Sequence, residues 1–161
     1  MGLGKADVAR FLARARAAVG LVGEVHVLLS DDATLRRLNK SFRGKDKATD
    51  VLSFPAGAST VFFGEQEFAG DLAISLDTAA RQAKHYGHTP ADEVRVLLLH
   101  GLLHLAGFDH ERDKGEMAAR EQELRQQLGL PGGLIERAGP QTDARKKKAA
   151  RAPAARKRVR A

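Results

Sequence analysis

The stretch that most constrains this 161-residue chain is Thr89–Leu105, TPADEVRVLLLHGLLHL. Thr89 offers a hydroxyl to the amides left unpaired at a helix start. Pro90 follows at the first helical position, where a missing N–H costs nothing, and Asp92 stands three residues after the cap, by the positive end of the helix dipole. Beyond this start Val94, Val96, Leu97, Leu98, Leu99, Leu102, Leu103 and Leu105 are broken only by Arg95, Gly101 and two histidines. A helix apolar on nearly every side must be enclosed by other elements. It is also shorter than the roughly 20 residues that cross a bilayer. The chain is 43% hydrophobic, ample for one enclosing domain.

The elements to enclose it are legible. Val8, Phe11, Leu12, Ala15 and Val19 recur at helical spacing, and Val25, Val27 and Leu29 alternate as in a strand. Asp31 or Ser30 caps a short helix through Leu38, after which residues 39–50 read as a polar loop. Strands are expected over Val51–Phe54, stopped by Pro55, and over Asp71–Ser75, with a weaker one near Thr60–Phe63 and a helix following to Tyr86. The expected fold is α+β, a small mixed β-sheet packed with helices.

The two histidines of the apolar helix, His100 and His104, are one turn apart and point the same way. Gly107 supplies a stop that tolerates positive φ, and His110 follows after a turn that can fold its ring back toward the pair. With no cysteine in the chain, disulfides and thiolate sites are excluded. Three neutral imidazoles leave a coordination position open, as in catalytic zinc sites. The expectation is therefore one catalytic zinc ion held by His100, His104 and His110 at the end of the buried central helix. Lone buried histidines are ordinarily just hydrogen-bonded, and His26, His85 and His88 take that reading.

The spacing H-x3-H-x2-G-x2-H is that of metzincin proteases, but the glutamate that would follow the first histidine as general base is here Gly101. A peptide hydrolase lacks its base, whereas a phosphodiester relies more on the metal's own polarisation of a phosphoryl oxygen. Arg43, in the polar loop, is the candidate guanidinium to clamp the phosphate. Asp109 either orients a histidine or caps the turn before Glu111 and Arg112.

The net charge of +7 is uneven. Arg137–Ala161 carries ten Lys or Arg against the single Asp143, leaving residues 1–136 with 17 basic against 19 acidic side chains. Residues 1–136 thus read as one domain and residues 137–161 as a disordered basic tail. That tail is either a grip on RNA phosphates or a solubilising extension. No secretory signal opens the chain, so the expected address is cytoplasmic.

Three segments carry a family resemblance. His100–His110, HGLLHLAGFDH, is similar to the H-G-x-L-H-L-x-G-[YF]-D-H motif of the YbeY endoribonucleases; Phe42–Pro55, FRGKDKATDVLSFP, and Gly70–Ser75, GDLAIS, resemble two further stretches of that family. Ala48 stands where proline is common, and Phe108 where tyrosine is common. The resemblance implies a metal-dependent endoribonuclease specific for single strands, acting in maturation of the small-subunit ribosomal RNA 3′ end and in ribosome quality control. It places the zinc ligands on His100, His104 and His110 and the functionally important arginine on Arg43, with Lys45 and Lys47 as further candidate RNA contacts. Ribosomal RNA and the small ribosomal subunit are the implied partners. Two other classes stand beside it: a non-catalytic ribosome-assembly factor with a structural metal, and a metallopeptidase-like hydrolase.

Overall fold

The computed structural model describes residues 3–56 and 68–131. In chain order these form α1 (Lys5–Val19), β1 (Glu24–Ser30), α2 (Asp32–Arg43), β2 (Val51–Pro55), β3 (Phe68–Ser75), α3 (Leu76–Tyr86), α4 (Pro90–Leu105) and α5 (Glu116–Leu128). The strands pair in the order β1-β3-β2, with β1 parallel and β2 antiparallel to the central β3. This is the α+β arrangement with a small mixed sheet. The candidate strand near Thr60–Phe63 and the basic tail lie outside the described residues.

α4 is the centre of the molecule. Its first turn is closed as expected, with the Asp92 amide donating to the Thr89 hydroxyl at 3.0 Å. Glu93, fully buried in that turn, is met by His88 at 2.6 Å, which ties the α3–α4 connection to the helix. Strands β2 and β3 cover one side of α4, while α1, α3 and α5 pack around the rest, so Leu97, Leu98, Leu99, Leu102 and Leu103 are all buried. Enclosure from several directions is why the helix carries no polar stripe.

Both faces of β2 are used. Val51 belongs to the main core with Leu72, Ile74 and the α4 leucines, whereas Leu52 and Phe54 join Leu35, Leu38 and Ala73 in a smaller core beneath α2. Ser53, fully buried on the α4 side, donates its hydroxyl to the Gly101 carbonyl at 3.3 Å. A Cβ at Gly101 would stand 2.8 Å from Leu72 Cδ2 and 3.3 Å from Ser53 Oγ. Glycine there lets the helix backbone settle onto the sheet. At Gly70 the constraint is harder: φ is +148°, and a Cβ would lie 2.6 Å from the Phe54 carbonyl oxygen and 2.7 Å from Leu105 Cδ2. The β2–β3 end of the sheet therefore abuts the last turn of α4.

One expected boundary is corrected. α2 does not stop at Leu38 but runs to Arg43, where Gly44 takes φ +72° and donates its amide back to the Lys40 carbonyl at 3.1 Å. The polar run Asn39–Ser41 looked like loop, yet Asn39 is buried at the helix's inner face, and its amide donates to the Lys47 carbonyl at 2.9 Å, pinning the following loop. Arg43 is thus a helix-terminal residue. α2 and α3 are joined at their starts by Asp32, which accepts from Ser75, Thr78 and Arg81 at 2.6–2.9 Å. Partial burial works against its charge, but these three donors prevail and hold the carboxyl below its ordinary range.

Candidate metal centre

The last two turns of α4 present His100 and His104 from one helical face, both buried. The helix then ends: Ala106 donates to Leu102, Gly107 takes φ +103° and donates to His104, and Phe108 donates to Leu103. The chain turns back through Asp109, whose carbonyl accepts from the Arg112 and Asp113 amides and whose carboxylate accepts from the Glu111 amide at 3.1 Å. That turn carries His110 to the pair, with its ring centroid 5.6 Å from that of His100 and 5.5 Å from that of His104. The glycine stop and the fold-back stand as the spacing suggested. The geometry gives Asp109 a turn-capping contact.

The donor set fits a divalent ion that favours nitrogen. One ligand atom from each histidine can be chosen so that all lie within 4.8 Å of one another, making this a group of side chains that could hold a metal. His100 Nε2 and His104 Nε2 are 3.2 Å apart. A tetrahedral zinc with Zn–N near 2.0–2.1 Å sets neighbouring nitrogens about 3.3 Å apart, so the pair already spans one edge of such a site.

A residue not singled out from sequence completes the geometry. Glu121, only 2% exposed, lies on α5 between the buried Met117 and Leu124 and reaches His100 Nδ1 at 3.1 Å. With Nδ1 donating to that carboxylate, the proton of a neutral imidazole is held on the outer nitrogen and the Nε2 lone pair faces His104 and His110. The signal was in the sequence: Met117, Glu121, Leu124 and Leu128 form a helical stripe in which one member is an acid. An acid on a buried stripe must find a partner.

Arg43 is not on the histidine segment. It sits half-buried at the C-terminal end of α2, with Lys45 and Lys47 exposed on the loop beyond. Phe42 beside it packs edge-on to Phe54, with ring centroids 5.3 Å apart, and the Phe54 carbonyl and Leu105 both border the space a Cβ would take at Gly70. The ends of α2 and α4 therefore share one end of the sheet, on its opposite faces.

Comparison with known proteins agrees with this architecture. The family model described as endoribonuclease YbeY matches residues 5–129. The chain is 55% identical over 136 residues to the endoribonuclease YbeY of Koribacter versatilis, covering 84% of this chain and 85% of that one. It is 50% identical over 130 residues to that of Solibacter usitatus, covering 81% and 83%. The solution structure of TM1509 from Thermotoga maritima superposes with a TM-score of 0.54 at 26% identity, covering 88% of this chain and 93% of that one. With a match that runs from the first residue of α1 to the glycine that ends α5, this chain belongs to the endoribonuclease YbeY family.

Proposed function

We propose that this protein is a zinc-dependent endoribonuclease that cuts single-stranded RNA in the cytoplasm. Its substrate is ribosomal RNA, its task is maturation of the small-subunit 3′ end together with ribosome quality control, and its partner is the small ribosomal subunit. The observation that carries the reading is the convergence of His100, His104 and His110 in a chain whose family is named for RNA cleavage. One zinc ion would be held by these three side chains. When bound, the ion supplies Lewis-acid chemistry, acidifying water and offsetting negative charge on phosphoryl oxygens.

The protein's own groups do the rest. Glu121 fixes the His100 tautomer and ring direction through the Nδ1 contact. Arg43 binds the nonbridging oxygens of the scissile phosphate, where a planar guanidinium gives two parallel donors and a charge that does not titrate. Lys45 and Lys47 hold neighbouring phosphates. Gly101 leaves no carboxylate base next to the first histidine, which separates this site from the peptidases that share its spacing.

Two variants divide these roles. Arg43→Ala is expected to lower cleavage of a single-stranded oligoribonucleotide by about 100- to 1,000-fold, as for loss of one transition-state donor, while zinc content stays at the wild-type level. Glu121→Gln is expected to weaken zinc about 10- to 100-fold in competition with a chromophoric chelator. The 3′ ends of the products identify the nucleophile. Ends without a cyclic phosphate agree with attack by water, and a 2′,3′-cyclic phosphate would assign it to the RNA's own hydroxyl. Undiminished cleavage by Arg43→Ala would remove that residue from the scheme.

A further inference from the structure

Phe42 closes the last turn of α2 with 63% of its surface in water. It is not a loosely tethered side chain. Its ring meets Phe54 at 66° between planes with centroids 5.3 Å apart, and Phe54 is set in the small core of Leu35, Leu52 and Ala73. The ring is backed on one side and open on the rest.

Its surroundings are cationic. Lys40, Arg43, Lys45 and Lys47 lie within five residues, and the one acid among them, Asp46, is engaged by Arg36 at 2.7 Å. That pairing, with a smaller contribution from Lys40, holds the Asp46 carboxyl below its usual range. The platform also has a place relative to the histidines. The Phe54 carbonyl and Leu105 Cδ2 both border the space a Cβ would take at Gly70, and Leu105 follows His104 directly in the chain. An aromatic face backed on one side, with cations close by in the sequence and at the sheet end that the last turn of α4 reaches from the opposite face, matches how proteins hold an unpaired base.

We infer that Phe42 is a stacking platform for an unpaired nucleobase of the substrate strand, placed so that the flanking cations hold the adjoining phosphates. The inference rests on the RNA-cleaving reading above and supplies it with a specificity element. In a duplex the faces of the bases are already stacked on one another; only a single strand offers a free one. The platform therefore favours single strands without reading sequence.

The test compares zinc-loaded full-length wild type with Phe42→Ala, Phe42→Leu and Phe42→Trp on a single-stranded oligoribonucleotide carrying 2-aminopurine at successive positions. Phe42→Leu keeps an apolar contact on Phe54 while removing the π face, so it separates stacking from folding. For Phe42→Ala and Phe42→Leu, KM is expected to rise about tenfold, with the larger share of the loss in KM rather than kcat. Both should also lose the fluorescence quenching that wild type produces at one position, and Phe42→Trp should keep both properties. If wild type cleaves the strand and Phe42→Leu matches it in KM and quenching, the stacking inference is overturned while the nuclease reading stands. If zinc-loaded wild type cleaves no RNA, both fall.

Discussion

His104→Ala is expected to abolish RNA cleavage and to lower zinc affinity by more than about a hundredfold, since loss even of an outer hydrogen-bond partner costs 10- to 100-fold. The physical reason is the geometry of the last two turns of α4. His104 Nε2 stands 3.2 Å from His100 Nε2, so its removal deletes a corner of the donor triangle, with its edges to His100 and His110, and leaves two ligands. A second readout follows from linkage. An ion that binds only the folded chain stabilises it by an amount that grows with free metal, so chelation should lower the wild-type melting temperature. The variant should melt at the same temperature with and without chelator. Metal analysis of the purified proteins beside the two melting curves checks both points, and a variant retaining a full equivalent of zinc would remove His104 from the ligand set.

Gly101→Glu would restore the residue that a peptidase of the same histidine spacing uses as its base, and it is expected to give no peptidase but an unfolded chain. At Gly101 even a Cβ meets Leu72 at 2.8 Å and Ser53 at 3.3 Å, so a carboxylate would be forced into the contact between α4 and the sheet. An unpaired buried charge costs several kcal/mol against a total stability of about 5–15 kcal/mol. Gly101→Ala is the milder control: overpacking costs about 1–3 kcal/mol, offset in part by about 1 kcal/mol of better helix propensity. The expected order by circular dichroism is wild type above Gly101→Ala in melting temperature, with no cooperative transition for Gly101→Glu. A glutamate variant that melts like wild type would show that this contact can open.

Much of this is legible in the sequence, where local chemistry decides the outcome. The start of α4 follows from Thr89, Pro90 and Asp92, and the fold-back of His110 from Gly107, because caps and positive-φ turns depend on residues a few positions apart. The end of α2 was misplaced for the opposite reason. Asn39 and Ser41 are weak helix residues in isolation, but burial of Asn39 and the Phe42–Phe54 contact carry the helix on to Gly44. α5 went unassigned because its stripe of Met117, Leu124 and Leu128 is thin and is broken by Glu121. That interruption proved informative only once His100, 21 residues earlier, was brought against it. Gly101 stands in the sequence where a metzincin keeps its glutamate. Its second role, the close approach of α4 to Ser53 and Leu72, depends on a sheet the local sequence does not describe.

The central claim is that His100, His104 and His110 hold one metal ion on which RNA cleavage depends. Its most direct test is a titration of chelator-stripped wild type with zinc, following the initial rate of cleavage of a single-stranded oligoribonucleotide. Without metal no cleavage is expected, and the rate should rise to a plateau at one equivalent per chain. Cleavage by the stripped protein, or a rate that ignores added zinc while the histidines bind it, would contradict the claim.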